Sequence, residues 1–277
     1  MLRPYRMADA SPVSDGGKVA FGWRLQLWRG ADSEWWPFCS AHAEDRFRCG
    51  PIEPNGAVKI SSVYPPIAPI QMKREINIEN WKRRDHFRFY SGFDEPFFGV
   101  TVKVRCQKAY DLCKREGHSF FLYYLHATLL AVNDVEAFRY RIQDGRVFLY
   151  ETVDASPTIN RPDGTFGFSY ITYHRDFATF QSAAQIEVER VRQASGLEPD
   201  SSSENVIHFT TLPWLNFTSM SHARHFTFDD SVPKIAFGKL HEADGALHMP
   251  VSVHVHHALV DGAHVGQFVD KLRARMD

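Results

Sequence analysis

Between residues 72 and 277 the spacing of apolar positions changes period several times, and each change marks an element. Val100, Val102 and Val104 alternate with Thr101, Lys103 and Arg105, the period of a half-buried strand. Residues 80–90 read as a short helix, and residues 107–116 as a longer one that stops at Gly117. Residues 120–132 are apolar all round, which predicts a helix buried on every side. Two strand-like runs, 140–142 and 147–150, flank Asp144-Gly145, a hairpin turn signal. Phe177, Phe180, Ala184, Val188 and Val191 lie at helical spacing, with Gly196 as a stop and Pro199 just beyond. Ser201-Ser202-Ser203 marks a loop. Strands then dominate as far as His257, with Asp244-Gly245 as a second hairpin turn. Val265, Phe268, Val269 and Leu272 form one face of a final helix. This order predicts an α/β sandwich with a mixed or antiparallel sheet. No internal repeat is present.

Residues 1–71 differ from the rest. They hold Trp23, Trp28, Trp35 and Trp36, and Gly and Pro interrupt every short pattern. Three readings fit: a small extra domain, a disordered arm, or a reading frame opened too far upstream with Met72 as the true start. The third is favoured, because the local signals agree on no single structure. The domain boundary is therefore placed between residues 71 and 72.

Composition excludes several classes. The 277 residues carry 32 Lys+Arg against 33 Asp+Glu, without the basic excess of a dedicated nucleic-acid binder. No apolar run reaches membrane-spanning length, so no membrane partner is expected. The first ten residues lack the apolar core of a signal peptide. Cys39, Cys49, Cys106 and Cys113 form no C-x-x-C pair, and a reduced, cytoplasmic chain is the expectation. Cys106 and Cys113 sit on patterned elements and read as core.

The densest polar signal is His254-Val255-His256-His257-Ala258-Leu259-Val260-Asp261-Gly262. It ends an alternating strand. By parity His257 shares the apolar face of Val251, Val253 and Val255, while His254 and His256 share the other. A partly desolvated imidazole there favours the neutral form that can act as a base. Asp261 is placed to cap the last helix or to hold a nearby cation. The parity also places His257 away from its two neighbours, and no Glu or Cys completes a set, so no metal site is expected. Read alone, the cluster is a satisfied strand-end histidine with solvated neighbours. No G-x-S-x-G elbow, P-loop or G-x-G-x-x-G fingerprint occurs.

His256-His257-x-x-x-Asp261-Gly262 resembles the HHxxxDG signature of the chloramphenicol acetyltransferases. The surroundings strengthen the resemblance. Leu212-Pro213-Trp214-Leu215-Asn216-Phe217-Thr218-Ser219 is similar to that family's "LPWVNF-S" segment, and Asn80-Trp81-Lys82-Arg83-Arg84-Asp85-His86-Phe87 to its "NWxRREHF". Phe138-Arg139, Asp144-Gly145 and Thr165-Phe166 fall in the family's order. The resemblance spans Met72 to the C-terminus.

It implies a two-layer α/β sandwich whose mixed, largely antiparallel sheet is covered by helices. It also implies a homotrimeric antibiotic-resistance enzyme that binds acetyl-CoA and chloramphenicol, or a similar alcohol, in a tunnel between subunits. In that scheme His257 is the general base. Thr210 stands where the family has an oxyanion-binding Ser, and Asp261 pairs with Arg83 to hold the histidine loop. Phe89, Tyr90, Thr158 and Phe166 would line the acceptor pocket. Trp214 and Lys239 would meet the coenzyme. Three departures stand out: Thr210 itself, Ala236 in place of a water-holding Thr, and Ser119 in place of a coenzyme-proximal Lys. Two other readings stay open. One is a same-fold acyltransferase with another acceptor, as in dihydrolipoyl acyltransferase cores, although residues 1–71 resemble neither a lipoyl domain nor its linker. The other is a silent protein that sequesters drug or coenzyme.

Overall fold

The computed structural model describes residues 72–197, 204–224 and 230–277, all within one compact unit. The expectations for residues 1–71, Pro199 and the serine loop at 201–203 lie outside the described residues.

Strand β1 (Lys73–Glu75) leads through a 3₁₀ turn at Ile78–Asn80 to helix α1 (Arg84–Tyr90). The helix is shorter than its sequence pattern. Trp81 is extended (φ −84°, ψ 132°), and its indole meets the rings of Phe87 and Tyr140 instead of continuing a helical turn. Strand β2 (Phe97–Arg105) and helices α2 (Gln107–Glu116) and α3 (Phe120–Asn133) follow. Gly117 ends α2 at φ 70°, a conformation glycine adopts without steric cost. The Ser119 hydroxyl accepts from the Leu122 amide and caps α3. Its role is therefore local. Strands β3 (Tyr140–Gln143) and β4 (Arg146–Tyr150) form the first hairpin, with Asp144 and Gly145 at φ 50° and 71°. These paired positive φ values fit a type I′ turn.

Strands β5 (Asp154–Asn160) and β6 (Phe166–Phe168) precede the long helix α4 (Phe177–Gln193), which returns the chain to β7 (Val206–Thr211). Strand β8 (Lys234–Phe237) follows, then β9 (His241–Ala243), β10 (Ala246–His256) and helix α5 (Gly262–Met276). Asp244 and Gly245 turn β9 into β10 with the same pair of positive φ values, 52° and 72°.

The main sheet has the order β2-β10-β8-β7-β5-β6, with β9 added on β10. Strands β5, β7 and β8 run parallel to one another, and the remaining pairs are antiparallel. The sheet is thus mixed and mainly antiparallel, with helices packed on one face: a two-layer α/β sandwich. Strands β1, β4 and β3 form a separate small antiparallel sheet.

Alternation sorts the main sheet into two chemistries. Val251, Val253 and Val255 of β10, Ile235 and Phe237 of β8, and Ile207 and Phe209 of β7 join one buried core with Leu125 and Leu129 of α3 and Phe268 and Leu272 of α5. The alternate positions Ser252, His254, His256, Lys234, Ala236, His208 and Thr210 therefore point to the opposite face. Helix α3 is buried nearly all round, as its uniform apolar character requires. Cys106 and Cys113 are buried, and burial pushes their thiols up to about 12 and about 11, so neither is a ready nucleophile.

One buried cation ties the two sheets together. Arg141 of β3 is fully buried and donates to the carbonyls of Phe138, Tyr140, Glu204 and Val206 at 2.7–2.8 Å. Burial lowers it to about 10, which leaves it protonated at neutral pH. Arg141→Met keeps much of the side-chain bulk but leaves those carbonyls without a donor. Orphaned buried groups cost about 1–3 kcal/mol each, non-additively. Urea unfolding is expected to show a loss above about 3 kcal/mol, against under about 0.5 kcal/mol for the exposed control Arg146→Met. Equal losses for the two variants would remove Arg141 from this role.

Candidate active site

His257 lies one residue past the end of β10, where the strand hands over to the turn before α5. Its amide donates to the Pro96 carbonyl at 2.8 Å, which fixes the backbone against the start of β2. The imidazole stacks on Tyr90 with ring centroids 3.9 Å apart and planes 6° from parallel. Phe98 covers it from another side at 4.5 Å. The apolar face predicted for this histidine is therefore an aromatic slot. Its Nδ1 is buried and meets no hydrogen-bond partner among the described residues.

Arg83 and Asp261 hold the turn. Arg83 donates to the Asp261 carboxylate at 2.5 Å and to the His257 carbonyl at 3.3 Å. Asp261 also caps α5: its carboxylate accepts from the amides of Ala263 and His264, and the His264 ring accepts from the Asp261 amide in return. Burial works against ionisation of Asp261, but the Arg83 hydrogen bond, together with the His264 and Arg83 charges and the His264 amide, outweighs it and holds the carboxyl below its usual range.

The neighbouring histidine differs from its expected solvated state. His256 is buried, its Nδ1 accepts from the Ala258 amide at 3.2 Å, and Phe97 meets it edge-on. The alternate face at this end of β10 is covered, so parity alone did not expose it. Among the described residues no three His, Cys, Asp or Glu side chains lie close enough to hold a metal ion.

Thr210 occupies a different place. It lines a cavity of about 400 Å³ that also includes Thr158, Phe168, His208, His222 and Lys234. Thr210 and Ala236 are register partners, as are Ala236 and Ser252, so one row crosses β7, β8 and β10. His257 lies five residues beyond Ser252 and on the other face. At about 4.8 Å per strand and 3.3 Å per residue, the Cα atoms of Thr210 and His257 are roughly 19 Å apart. One chain does not bring them together.

The other candidate residues divide between these two places. Tyr90 belongs with His257, and Phe89 packs on Tyr90 with its own ring largely exposed. Phe93 completes that aromatic group, a residue the sequence reading missed because it follows the end of the helical period. Phe166 does not line the cavity. It packs at 5.7 Å against Phe168, which does line it from two positions along the same strand. Trp214 and Lys239 are both exposed, and the Lys239 amide bonds the Leu215 carbonyl at 2.8 Å, so this open surface is continuous with the Pro213 turn. His208, His222 and Lys234 were also missed. They are ordinary strand or loop residues until the sheet order places them on one cavity.

The chloramphenicol acetyltransferase family profile matches residues 72–273, and the chain belongs to that family. A chloramphenicol acetyltransferase 3 from Escherichia coli is 29% identical over 202 residues, covering 72% of this chain and 94% of its own. One from Bacillus pumilus is 27% identical over 199 residues, covering 70% and 90%. A solved chloramphenicol acetyltransferase superposes with a TM-score of 0.69 at 33% identity, over 74% of this chain and all of its own. The dihydrolipoamide acetyltransferase of Azotobacter vinelandii shares the fold alone, at TM-score 0.53 and 15% identity. No helix among the described residues is long and apolar enough to cross a membrane.

The buried state of His256 has a measurable consequence. Burial pushes it down to about 4 from an ordinary value near 6.5. The unfolded chain binds the proton first as pH falls, so stability is complete above about 6.5 and is lost on the way down to about 4. This group's share is at most roughly 3 kcal/mol. His256→Asn keeps an acceptor but cannot titrate. Its unfolding free energy, followed from pH 7 to pH 4.5, is expected to slope less steeply than that of wild type. Parallel slopes would show that His256 titrates no differently in the folded and unfolded chains.

Proposed function

We propose that this chain transfers the acetyl group of acetyl-CoA directly to a hydroxyl of chloramphenicol, with His257 as general base. The observation that carries the reading is the seat of His257: an aromatic slot, an enclosed Nδ1, and a turn clamped by Arg83 and Asp261. With Nδ1 enclosed, Nε2 is the nitrogen left to face a substrate. It takes the proton from the acceptor hydroxyl as that oxygen bonds to the thioester carbonyl. The tetrahedral oxyanion accepts a hydrogen bond from Thr210. Collapse breaks the carbon–sulfur bond, and the departing CoA thiolate receives the proton from His257. Base catalysis of this kind contributes about 10²–10⁴-fold, and one oxyanion donor about 10²–10³-fold. Arg83 and Asp261 position His257 and move no proton. The exposed Trp214 and Lys239 are open to the pantetheine and a phosphate of the coenzyme.

The separation of His257 from Thr210 supports an assembled site. In this reading the His257 of one copy meets the Thr210 cavity of the next. Such a heterologous contact closes into a ring, and the resemblance selects a ring of three. The exposed Phe89 and Phe93 would then be walls of a shared pocket rather than free surface.

Thiol release from acetyl-CoA tests the chemistry. Wild type is expected to release thiol only when chloramphenicol is present, and His257→Ala to lose at least about 10²-fold in kcat. No release by a folded wild type would overturn the drug assignment. Retained protection of cells by His257→Ala would favour a sequestering protein. The shared site has its own test. Inactive His257→Ala and Thr210→Val chains, co-expressed, are expected to regain part of the wild-type rate, because some contacts then pair two intact halves. No recovery in a mixed oligomer would place both residues in a site within one chain.

A further inference from the structure

The turn that carries His257 runs through the core, and its backbone donors all need partners. Ala258, Leu259 and Val260 are buried, so the amides between β10 and α5 must be met inside the protein. The His257 amide donates to the Pro96 carbonyl, and those of Leu259 and Val260 donate to the His256 carbonyl at 3.0 and 2.9 Å. The Ala258 amide donates to the His256 ring. The last amide of the run belongs to Asp261, and its partner is Nδ1 of His264 at 3.2 Å.

A continuous path leads from that nitrogen to the base. Asp261 is extended, at φ −125° and ψ 179°. In this conformation its Oδ1 accepts from the Ala263 and His264 amides, and its Oδ2 accepts from Arg83. Arg83 in turn donates to the His257 carbonyl. His264 therefore bears on His257 through Asp261 and Arg83.

The residue type makes this contact conditional. A capping box is ordinarily closed by Glu or Gln at the third helical position, where His264 stands. A histidine does the same work only while Nδ1 keeps its lone pair. The same Nδ1 lies 3.0 Å from Asp261 Oδ1. A proton on Nδ1 exchanges one partner for the other. The nitrogen then donates to Oδ1, and the Asp261 amide loses its acceptor. The charged groups that act on the ring are Asp261 in its own cap and Arg83 at the start of α1. Burial opposes the proton, Asp261 favours it and Arg83 opposes it, and the balance holds the ring below its ordinary value. At neutral pH the ring is uncharged and the contact to the Asp261 amide is closed.

We infer that His264 is a positioning residue for the general base: with Nδ1 unprotonated it locks the turn that presents His257, and a proton on Nδ1 releases that turn. This deepens the acetyl-transfer reading above and rests on it. His264 meets no substrate and passes no proton to one. Its part is to keep Asp261, and through it Arg83, in the arrangement that aims the His257 ring.

The test measures acetyl transfer to chloramphenicol by wild type, His264→Leu and His264→Gln from pH 8 to pH 5, together with crystal structures of all three. Leu fills space but accepts nothing. It is expected to lower kcat by about 10–10²-fold, the scale of a misplaced catalytic group, with KM within about twofold of wild type. Its His257 ring is expected to leave the parallel stack on Tyr90. Gln can reach back to the Asp261 amide, and is expected to keep the stack and to recover kcat at pH 8 to within about threefold. It takes no proton in this range. Its kcat/KM is therefore expected to fall with a slope of about one on the acid side, where wild type approaches about two, one proton for His257 and one for His264. A Leu variant with wild-type kcat, or with His257 still stacked on Tyr90, would overturn the inference. So would acid limbs of equal slope in wild type and the Gln variant, and these limbs decide alone if the Leu variant fails to fold. The crystal structures separate the inference from the activity reading. A displaced ring in the Leu variant of a protein without chloramphenicol-dependent turnover would sink the acetylation and keep the positioning role. Turnover with an undisplaced ring would do the reverse.

Discussion

Arg83 and Asp261 stand 178 residues apart in the chain, each at the N-cap of a helix, and their 2.5 Å ion pair supports everything around His257. Helix α1 is only seven residues long and has no side-chain cap of its own. A helix that short is not stable alone and takes its position from tertiary contacts. Arg83 supplies one by binding Asp261 and the His257 carbonyl together. Tyr90, the last residue of the same helix, then arrives parallel to the His257 ring. The pair is only partly exposed, with side-chain accessibilities of 13% and 31%, so solvent screens it less than a surface bridge. One interaction thus caps α5, places α1 and orients an imidazole.

The second constraint is the division of the main sheet into an apolar and a polar face. Helices α3 and α5 occupy the apolar face, and only its end, past β10, carries a candidate base, His257 in its aromatic slot. The other face gathers His208, His254 and His256 with Lys234, and a loop brings His222 and Arg224 over it. Arg224 lies 3.6 Å above the Phe97 ring and pairs with Glu95 at 2.5 Å. Imidazoles suit such a place, because they stay neutral when buried and still offer a donor and an acceptor. The cavity beside Thr210 takes its polarity from this arrangement.

The departures from the family pattern are local in the structure. Thr210 keeps a hydroxyl on the cavity wall, with the small Ala236 as its cross-strand neighbour. Ser119 is absorbed in capping α3. It therefore supplies a helix cap where the family resemblance led us to expect a lysine.

What the sequence determined by itself was local. Both Asp-Gly hairpins, the glycine stop of α2, the all-round burial of α3 and the placement of His257 at the end of an apolar strand face were legible, because each depends on a few neighbouring residues and a fixed period. The family signature carried Arg83 and Asp261 together, although spacing alone left Arg83 in a solvated basic run. The tertiary structure decided the rest. It buried His256 and Arg141, set Phe168 rather than Phe166 on the cavity, assembled His208, His222 and Lys234, and parted His257 from Thr210. Each of these depends on strand order and on which face a loop covers. Those are set by pairings between distant segments, and hydrophobic periodicity, which records only whether a position is buried, carries no trace of its partner.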